Sequence, residues 1–304
     1  MKAKIAVITY EAKGSYIADG IADEDELLKE ILDELNLVYA FEIWTDQSVD
    51  WTKYQMILLK SPWDYFDRIE EFKDWCAKIS NLKIPMINSV DTVLWNTDKH
   101  YLKEIEAGGY SIVQTFFLEK GQSIRAVDDF FKLFGTDNLI IKPTISGGAK
   151  NTFHVKKENW EEIAIELEKL LNYESFMIQP FIDEVVNIGE YSYVFFNGIF
   201  SHAVLKSAKS GDFRVQHFFG GQVSIIQPSE DQLGYLQNLV NDFAKGTLYA
   251  RVDGVWKGGE FLLMELELIE PYLFLCKSPS GLTNYKSAIE DYLKFQLDTW
   301  DSKI

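Results

Sequence analysis

The chain has only two cysteines, Cys76 and Cys276, far apart and outside any CxxC spacing. That excludes a disulfide framework and a cysteine-based zinc site, and both thiols are expected to be buried. Positive charge is scarce: 30 Lys and Arg against 47 Asp and Glu leave a net charge of −17 over 304 residues. Such a surface repels phosphate backbones and anionic headgroups, so a nucleic-acid binder is not expected. An anionic ligand would need a local basic cluster, which makes internally placed Lys and Arg informative. Long apolar runs are missing as well. The longest uncharged stretch, 191–205, is broken by Ser192, Asn197, Gly198, Ser201 and His202, so no membrane span or membrane partner is expected. Residues 4–10 are too short for a signal-peptide core and read as a first strand, giving a chain of cytoplasmic character. No internal repeat, and no Ser/His/Asp or Cys/His arrangement, is evident.

What is there has an ordinary globular balance, 47% hydrophobic and 25% charged, over about two domain-sized units by length. Strand patterns at 4–10, 37–44, 54–60 and 84–88 alternate with helical ones at 23–36 and 67–80, which predicts a parallel-sheet α/β unit. In the first helix Leu27, Leu28, Ile31, Leu32 and Leu35 form one face. Asp25, Glu26, Glu30, Asp33 and Glu34 form the other, expected to be solvated. From 95 to 181 the order is helix 98–106, strand 111–117, helix 124–134, strand 138–143, glycine-rich loop, strand 152–156, helix 158–171 and strand 175–181. A hairpin follows at 191–205, where Asn197-Gly198 suits a type I′ turn. A helix at 229–245, a hairpin at 248–267 and a helix at 284–299 complete the chain.

Three constellations carry chemistry. In Ile141-Lys-Pro-Thr-Ile-Ser-Gly-Gly-Ala-Lys-Asn151, Lys142 is fixed by a strand, and Gly147 and Gly148 let backbone N–H groups turn toward a phosphate. The spacing is not that of a Walker loop, and a plain hairpin loop fits the local pattern equally well. In the last hairpin, a three-residue loop at 257–259 would pair Trp256 with Glu260 and set Asp253 opposite Leu263. Asp253, Glu265 and Glu267 would then share one face, with Leu262, Met264, Leu266 and Leu268 on the other. Three such carboxylates repel unless a cation sits among them, and hard oxygen ligands suit Mg²⁺; the alternative is a solvated face. The third is a basic line, Lys206 and then Arg214 between Phe213 and Val215, read as an anion ligand set. His202 and His217 are read as structural hydrogen-bonders rather than acid–base groups.

Taken in order, these features resemble the ATP-grasp superfamily, in the branch of prokaryotic glutathione synthetase and the ligases that form cycloserine. The resemblance runs from about Lys60 to Leu275. It rests on Ser61-Pro-Trp-Asp-Tyr65, Trp95-Asn-Thr-Asp-Lys99, Ile141-Lys-Pro143, Gln179-Pro-Phe181, Gly189-Glu-Tyr-Ser192, Ser201-His-Ala-Val204, Gly211-Asp-Phe-Arg-Val-Gln216, Tyr249-Ala-Arg-Val-Asp253 and Met264-Glu-Leu-Glu-Leu-Ile-Glu-Pro271. It implies an α/β fold in three parts: a parallel-sheet domain (1–94), a central lid (95–182) and a mixed or antiparallel C-terminal unit (183–304). It further implies that Lys99 and Lys142 hold the α and β phosphates of ATP under a loop containing Ser146, Gly147 and Gly148. Gln179, Phe181 and Ile182 would form the adenine hinge and Glu190 would accept the ribose hydroxyls. Arg214 with Lys206 would neutralise the γ-phosphate, and Asp253, Glu265 and Glu267 would bind two Mg²⁺. Many relatives carry Glu-x-Asn where this chain has Glu265-x-Glu267, and Pro271 falls one place late. The implied reaction joins a small carboxylate to an amine through an acyl-phosphate, releasing ADP and phosphate; the resemblance also leaves room for a homodimer. The rivals are a small-molecule kinase on the same fold and a non-catalytic nucleotide-binding protein. Trp63, Asp64, Tyr65 and Arg68 follow the strand ending at Lys60, and ligands of open α/β sheets sit beyond the carboxyl ends of strands, so these four are candidate substrate contacts.

Overall fold

A computed structural model describes residues 4–11, 22–124, 127–208 and 221–301. β1 (Lys4–Thr9), β2 (Val38–Ile43), β3 (Met56–Leu59) and β4 (Met86–Ile87) form a parallel sheet in the order β2-β1-β3-β4. β1 and β3 read as continuous apolar runs because both faces of the sheet are covered. One cover is α1 (Glu24–Glu34), which buries Leu28, Ile31 and Leu32; α2 (Ile69–Asn81) buries Phe72, Trp75 and Ile79. Glu26, Glu30, Asp33 and Glu34 face water as expected, but Asp25 does not. It is buried and accepts hydrogen bonds from Ser61 Oγ (2.7 Å) and Thr9 Oγ1 (3.4 Å), because the first turn of α1 sits over the carboxyl ends of β1 and β3.

The short α3 (Val90–Asn96) and α4 (Tyr101–Ala107) lead to an antiparallel sheet of order β5-β8-β6-β7. Its strands are β5 (Phe116–Leu118), β6 (Asn138–Pro143), β7 (Phe153–Lys156) and β8 (Phe176–Pro180), backed by α5 (Val127–Phe134) and α6 (Trp160–Leu170). After α7 (Asp183–Asn187) comes a five-stranded antiparallel sheet, β11-β10-β9-β12-β13. It comprises β9 (Glu190–Phe196), β10 (Ile199–Ser207), β11 (Gln222–Ile226), β12 (Tyr249–Lys257) and β13 (Glu260–Glu267). Asn197 and Gly198 both have positive φ, as the expected type I′ turn requires. One face of this sheet packs on α4 and on α8 (Glu230–Phe243), through Tyr193, Phe195, Val252 and Leu266. α9 (Gly281–Asp301) helps to cover the other face where it meets the parallel sheet. α3, α7 and β11 are too short to show periodicity and were not anticipated. Of the two thiols, Cys76 is buried in α2, and burial pushes it up to about 12, whereas Cys276 is exposed on the short turn 275–277.

The parallel and five-stranded sheets are joined by buried polar groups that meet backbone across the seam. Asn88 donates to the carbonyls of Tyr249 (3.0 Å) and Leu268 (2.8 Å) and accepts from Leu248 N–H (2.8 Å). Asn96 spans β13 in the same manner, donating to Leu266 O (2.7 Å) and accepting from Leu268 N–H (2.8 Å). Tyr249 Oη donates to the carbonyls of Leu59 and Ile269. Glu24 pairs with buried Lys60 at 3.0 Å and also accepts the N–H groups of Leu273 and Leu275. Asn88→Leu would leave two carbonyls and one N–H buried without partners. A loss of about 3 kcal/mol or more in urea denaturation is expected, and a loss below ~1 kcal/mol would mean that water reaches this seam.

Candidate functional site

Period-two alternation, with the antiparallel register, sets a row of charges on one face of the five-stranded sheet. Lys206 stands opposite Glu190, Asp253 opposite both Ser192 and Glu265, and Arg251 opposite Glu267. Lys206 Nζ is 2.5 Å from Glu190 and 3.6 Å from Asp253. Arg251 grips Asp253 through Nε (3.0 Å) and Nη2 (2.8 Å), contacts Glu267 through Nη2, and donates Nη1 to Tyr272 O (3.0 Å). Ser192 Oγ donates to Asp253 as well. Lys99, just ahead of α4, closes the face from the other side: its Nζ is 3.0 Å from Glu265 and donates to Ser146 O at 2.9 Å. Lys142, on β6 of the four-stranded sheet, is half-buried within the fields of Glu265, Lys99, Glu190 and Asp253.

Burial acts on every group here, and the neighbours decide the outcome. Burial alone would raise the Asp253 carboxyl, but Arg251 and Lys206 hold it at about 2. For Glu265 the same contest is won by Lys99 and Lys142, which lower it. Glu267 goes the other way: burial, with Asp253, Glu265 and Glu270 nearby, drives it well above the carboxylate range despite Arg251. Burial and Glu265 push Glu270 up to about 8. Burial lowers Lys142, whereas Asp253 and Glu190 outweigh burial at Lys206 and raise it.

The hairpin register differs from the expected one. Lys257 pairs with Glu260 across a two-residue turn, because Gly258 and Gly259 both take positive φ, and a β-bulge then shifts the pairing between Asp253 and Gly254. Asp253 therefore faces Glu265, not Leu263. The extra residue also flips the alternation on β13. Leu266 and Leu268 join the apolar back with Phe261 and Leu263, but Leu262 and Met264 do not. Those two turn to the charged side and pack with Val113, Ile182, Val185 and Val255 as an apolar patch beside the charges.

The remaining expected residues are distributed as follows. Gln179 is buried on β8 and donates to Thr115 Oγ1 (2.9 Å), and the Phe181 ring stacks on His154 at 4.6 Å. Ile182 belongs to the apolar patch. Ser146 donates to Pro143 O (3.3 Å), opening a loop in which Gly148 takes positive φ and Gly147 lies against Phe66. Trp63 donates its indole N–H to Glu270 O (3.0 Å), which ties the loop after β3 to the end of β13. Asp64 accepts from Trp44 (2.7 Å), Tyr65 is buried, and Arg68 is paired with Glu71. Arg214 and His217 lie outside the described residues. His202 fits its structural reading: it bonds Leu273 O (2.8 Å) and Ser201 (2.9 Å), and burial lowers its pKa.

Sequence reasoning missed Arg251 and Glu270. Arg251 was visible as the i−2 neighbour of Asp253 on one strand face, but its charge was not counted against the acids. Glu270 is half-buried just past β13 and has no ion pair among the described residues. No three His, Cys, Asp or Glu side chains among the described residues are grouped tightly enough to hold a metal by themselves. Arg251, Lys206 and Lys99 compensate these carboxylates in part. Among the described residues the five carboxylates Glu190, Asp253, Glu265, Glu267 and Glu270 outnumber Lys99, Lys142, Lys206 and Arg251, so the face has oxygen donors in excess of its cations and fits a divalent ion arriving with further ligands.

A family model for the N-terminal domain of D-cycloserine synthetase DcsG matches residues 5–88, and one for the ATP-grasp domain of prokaryotic glutathione synthetase matches residues 110–258. With this fold, they make the chain an ATP-grasp ligase, an ATP-using enzyme of the class that forms carbon–nitrogen bonds. Its relatives include the cycloserine biosynthesis protein DcsG of Streptomyces lavendulae, 28% identical over 262 residues that cover 83% of this chain and 87% of that protein. The crystal structure of D-cycloserine synthetase DcsG superposes with a TM-score of 0.82 at 25% identity, covering 95% of this chain and 99% of that one. D-alanine–D-alanine ligase from Bacillus anthracis shares the fold at a TM-score of 0.68 and 16% identity, over 99% of this chain and 100% of that one. Among the described residues no helix is long and apolar enough to cross a membrane.

The excess of acid gives a testable pH dependence. An ordinary Glu releases its proton near 4.5, whereas Glu270 in the folded chain keeps it to about 8. Across that window the native state binds more protons than the unfolded one, so this group's contribution to stability falls as pH rises. The groups facing it are Tyr65, Lys99, Tyr249, Arg251, Glu265 and Glu267. Glu270→Gln cannot titrate, so in EDTA its melting temperature relative to the parent should rise steadily from pH 5 to pH 8.5. A difference that stays flat over this range would show that the Glu270 charge is compensated.

Proposed function

We propose that this chain ligates a small amino-acid-like carboxylate to an amine by way of an acyl-phosphate, with release of ADP and phosphate. The observation that carries this is the facing arrangement of charges: carboxylates on one sheet, and Lys99 and Lys142 arriving from the opposite side above them. Lys99 and Lys142 would hold the α and β phosphates, with Ser146, Gly147 and Gly148 over them. The patch of Val113, Ile182, Val255, Leu262 and Met264, beside Gln179 and Phe181, would take the adenine, and Glu190 the ribose. Lys206 and Arg214 would neutralise the transferred phosphoryl group. Asp253, Glu265 and Glu267 would hold Mg²⁺, two ions in this reading, which when bound supplies charge neutralisation at the phosphates. Few side-chain acids or bases are needed, in keeping with the structural role of His202.

The substrate would lie by Trp63, Asp64, Tyr65 and Arg68, between the parallel sheet and the charged face. Residues 1–94, 95–182 and 183–304 would then serve as substrate, lid and metal units of a cytoplasmic enzyme. The relative DcsG, matched over 87% of its length, is named for cycloserine biosynthesis, which supports an amino-acid derivative as substrate here.

A coupled ADP-release screen over amino acids, dipeptides and small amines, repeated with hydroxylamine, tests the reading. An acyl-phosphate yields a hydroxamate, whereas phosphate passed to a hydroxyl yields none and would establish the kinase. Lys142→Ala removes a strand-held ammonium whose charge-assisted bonds contribute roughly 1.5–3 kcal/mol, so calorimetry should show ATP affinity falling about ten- to hundredfold. Unchanged affinity would remove Lys142 from the phosphate site.

A further inference from the structure

The glycine-rich loop does not stand alone over the charged face. It rests on the loop that follows β3, more than eighty positions earlier in the chain. A Cβ at Gly147 would lie 2.5 Å from Cε1 and 2.9 Å from Cδ1 of Phe66, so the backbone there is pressed against the ring. Gly147 does not need positive φ; it is the ring that requires glycine. Three residues further on, Lys150 pairs with Asp67, and its Nζ stands 5.9 Å from the centre of the same Phe66 ring. The Lys150 N–H also closes a turn onto Gly147 O (3.1 Å), so both contacts belong to one turn.

This turn needs outside support. Ala149 and Asn151 both sit in the left-handed region, at φ 61° and 50°, where residues with a Cβ are disfavoured. Lys99 holds the loop at Ser146 O, and Glu174 holds it at Asn151 (3.0 Å). The third support is the Phe66–Asp67 corner, which is itself anchored. Tyr65 beside it is buried against Phe72 at 5.2 Å, Asp67 N–H bonds Asp64 O (3.1 Å), and Asp64 accepts from Trp44.

We propose that Phe66 and Asp67 are positioning residues for ATP: they fix the glycine-rich loop in its phosphate-covering conformation, so the cradle is complete only with the loop after β3 in place. This rests on the reading of that loop as the phosphate cover. Its consequence is a mechanical link between the candidate substrate loop, which contains Trp63 and Asp64, and closure over the nucleotide. A chain without the corner would bind ATP loosely and leave the phosphates open to water.

Two sets of variants of the full chain test this, each read by calorimetric Mg-ATP affinity, KM against kcat for ADP release without added carboxylate, and melting temperature. Gly147→Ala should weaken Mg-ATP binding at least fivefold, Phe66→Ala should also weaken it, and the double variant should lose clearly less than the two losses combined, because the methyl then occupies part of the space the ring has left. Asp67→Lys and Lys150→Asp should each weaken binding and raise KM three- to tenfold, and the double exchange should return both to within about twofold of the parent. The charge exchange keeps the test open if Gly147→Ala melts low. Losses that simply add in both sets, or single variants with no loss, overturn the proposal. Lys142→Ala is the control: if it loses ATP while the pairs show no coupling, the phosphate site stands and the positioning role falls. A parent chain that fails to bind Mg-ATP removes both.

Discussion

The structure depends on charge compensation at one face of the five-stranded sheet. Glu190, Asp253, Glu265, Glu267 and Glu270 meet Lys99, Lys142, Lys206 and Arg251 in a cleft where Lys99, Lys206, Arg251 and Asp253 are buried and the others half-buried. At low effective dielectric, an unpaired charge there would cost more than any single hydrogen bond in the fold returns. Arg251 is the centre of this arrangement. Its planar fork meets two carboxylates and a carbonyl at once, which a lysine could not do. Among the described residues the match is incomplete: acids outnumber cations, and burial with the neighbouring carboxylates raises Glu267 and Glu270 above the usual carboxylate range. An excess of buried oxygen donors is a poor way to stabilise a fold and a good way to receive a cation.

Such a face works only if its parts are held at fixed spacing, and most of the holding is done by backbone. Arg251, Asp253, Glu265 and Glu267 are locked by strand register, and Lys142 by β6. The seam to the parallel sheet uses side chains that meet backbone groups, namely Asn88, Asn96, Tyr249 and Glu24, rather than shape fit alone. Directional bonds of this kind fix orientation, because each misplacement leaves a buried partner unsatisfied. They carry the loop after β3 to the end of β13, where Trp63 meets Glu270 O. Two units distant in sequence thereby present one cleft.

Much of this was legible in the sequence. The alternation of strand and helix patterns gave the parallel sheet, Asn197-Gly198 the hairpin, and period-two spacing the shared face of Asp253, Glu265 and Glu267. What escaped has a common physical cause. Asp25 was assigned to water because helix periodicity says which face a residue occupies, not that the first turn of α1 covers two strand ends. Arg251 was passed over because a strand reading ranks acids and bases separately, although their pairing is what burial demands. Glu270 follows the regular strand, where periodicity ends. The Phe66–Gly147 contact joins loops far apart in the chain, and no local pattern encodes it.

The largest departure, the bulge opposite Gly254, decides which side chains of the hairpin stand beside the charges. A regular ladder would have kept Leu262, Met264, Leu266 and Leu268 together on the apolar back and turned Phe261 and Leu263 to the side of Glu265 and Glu267. The extra residue on β13 needs the backbones to come close, and a Cβ at Gly254 would lie 2.4 Å from Leu262 O and 2.5 Å from the Phe261 ring. Glycine at this one position lets the alternation invert. Beyond it Leu262 turns to the charged side and, with Met264 and with Val255 of β12, meets Ile182 and Val113, while Phe261 and Leu263 fill the back. The same strand pair is thus ionic at one end and apolar at the other, within a few residues. That is the division a nucleotide presents, with charged phosphates at one end and a flat apolar base at the other, and the inserted residue sets which side chains line the apolar end.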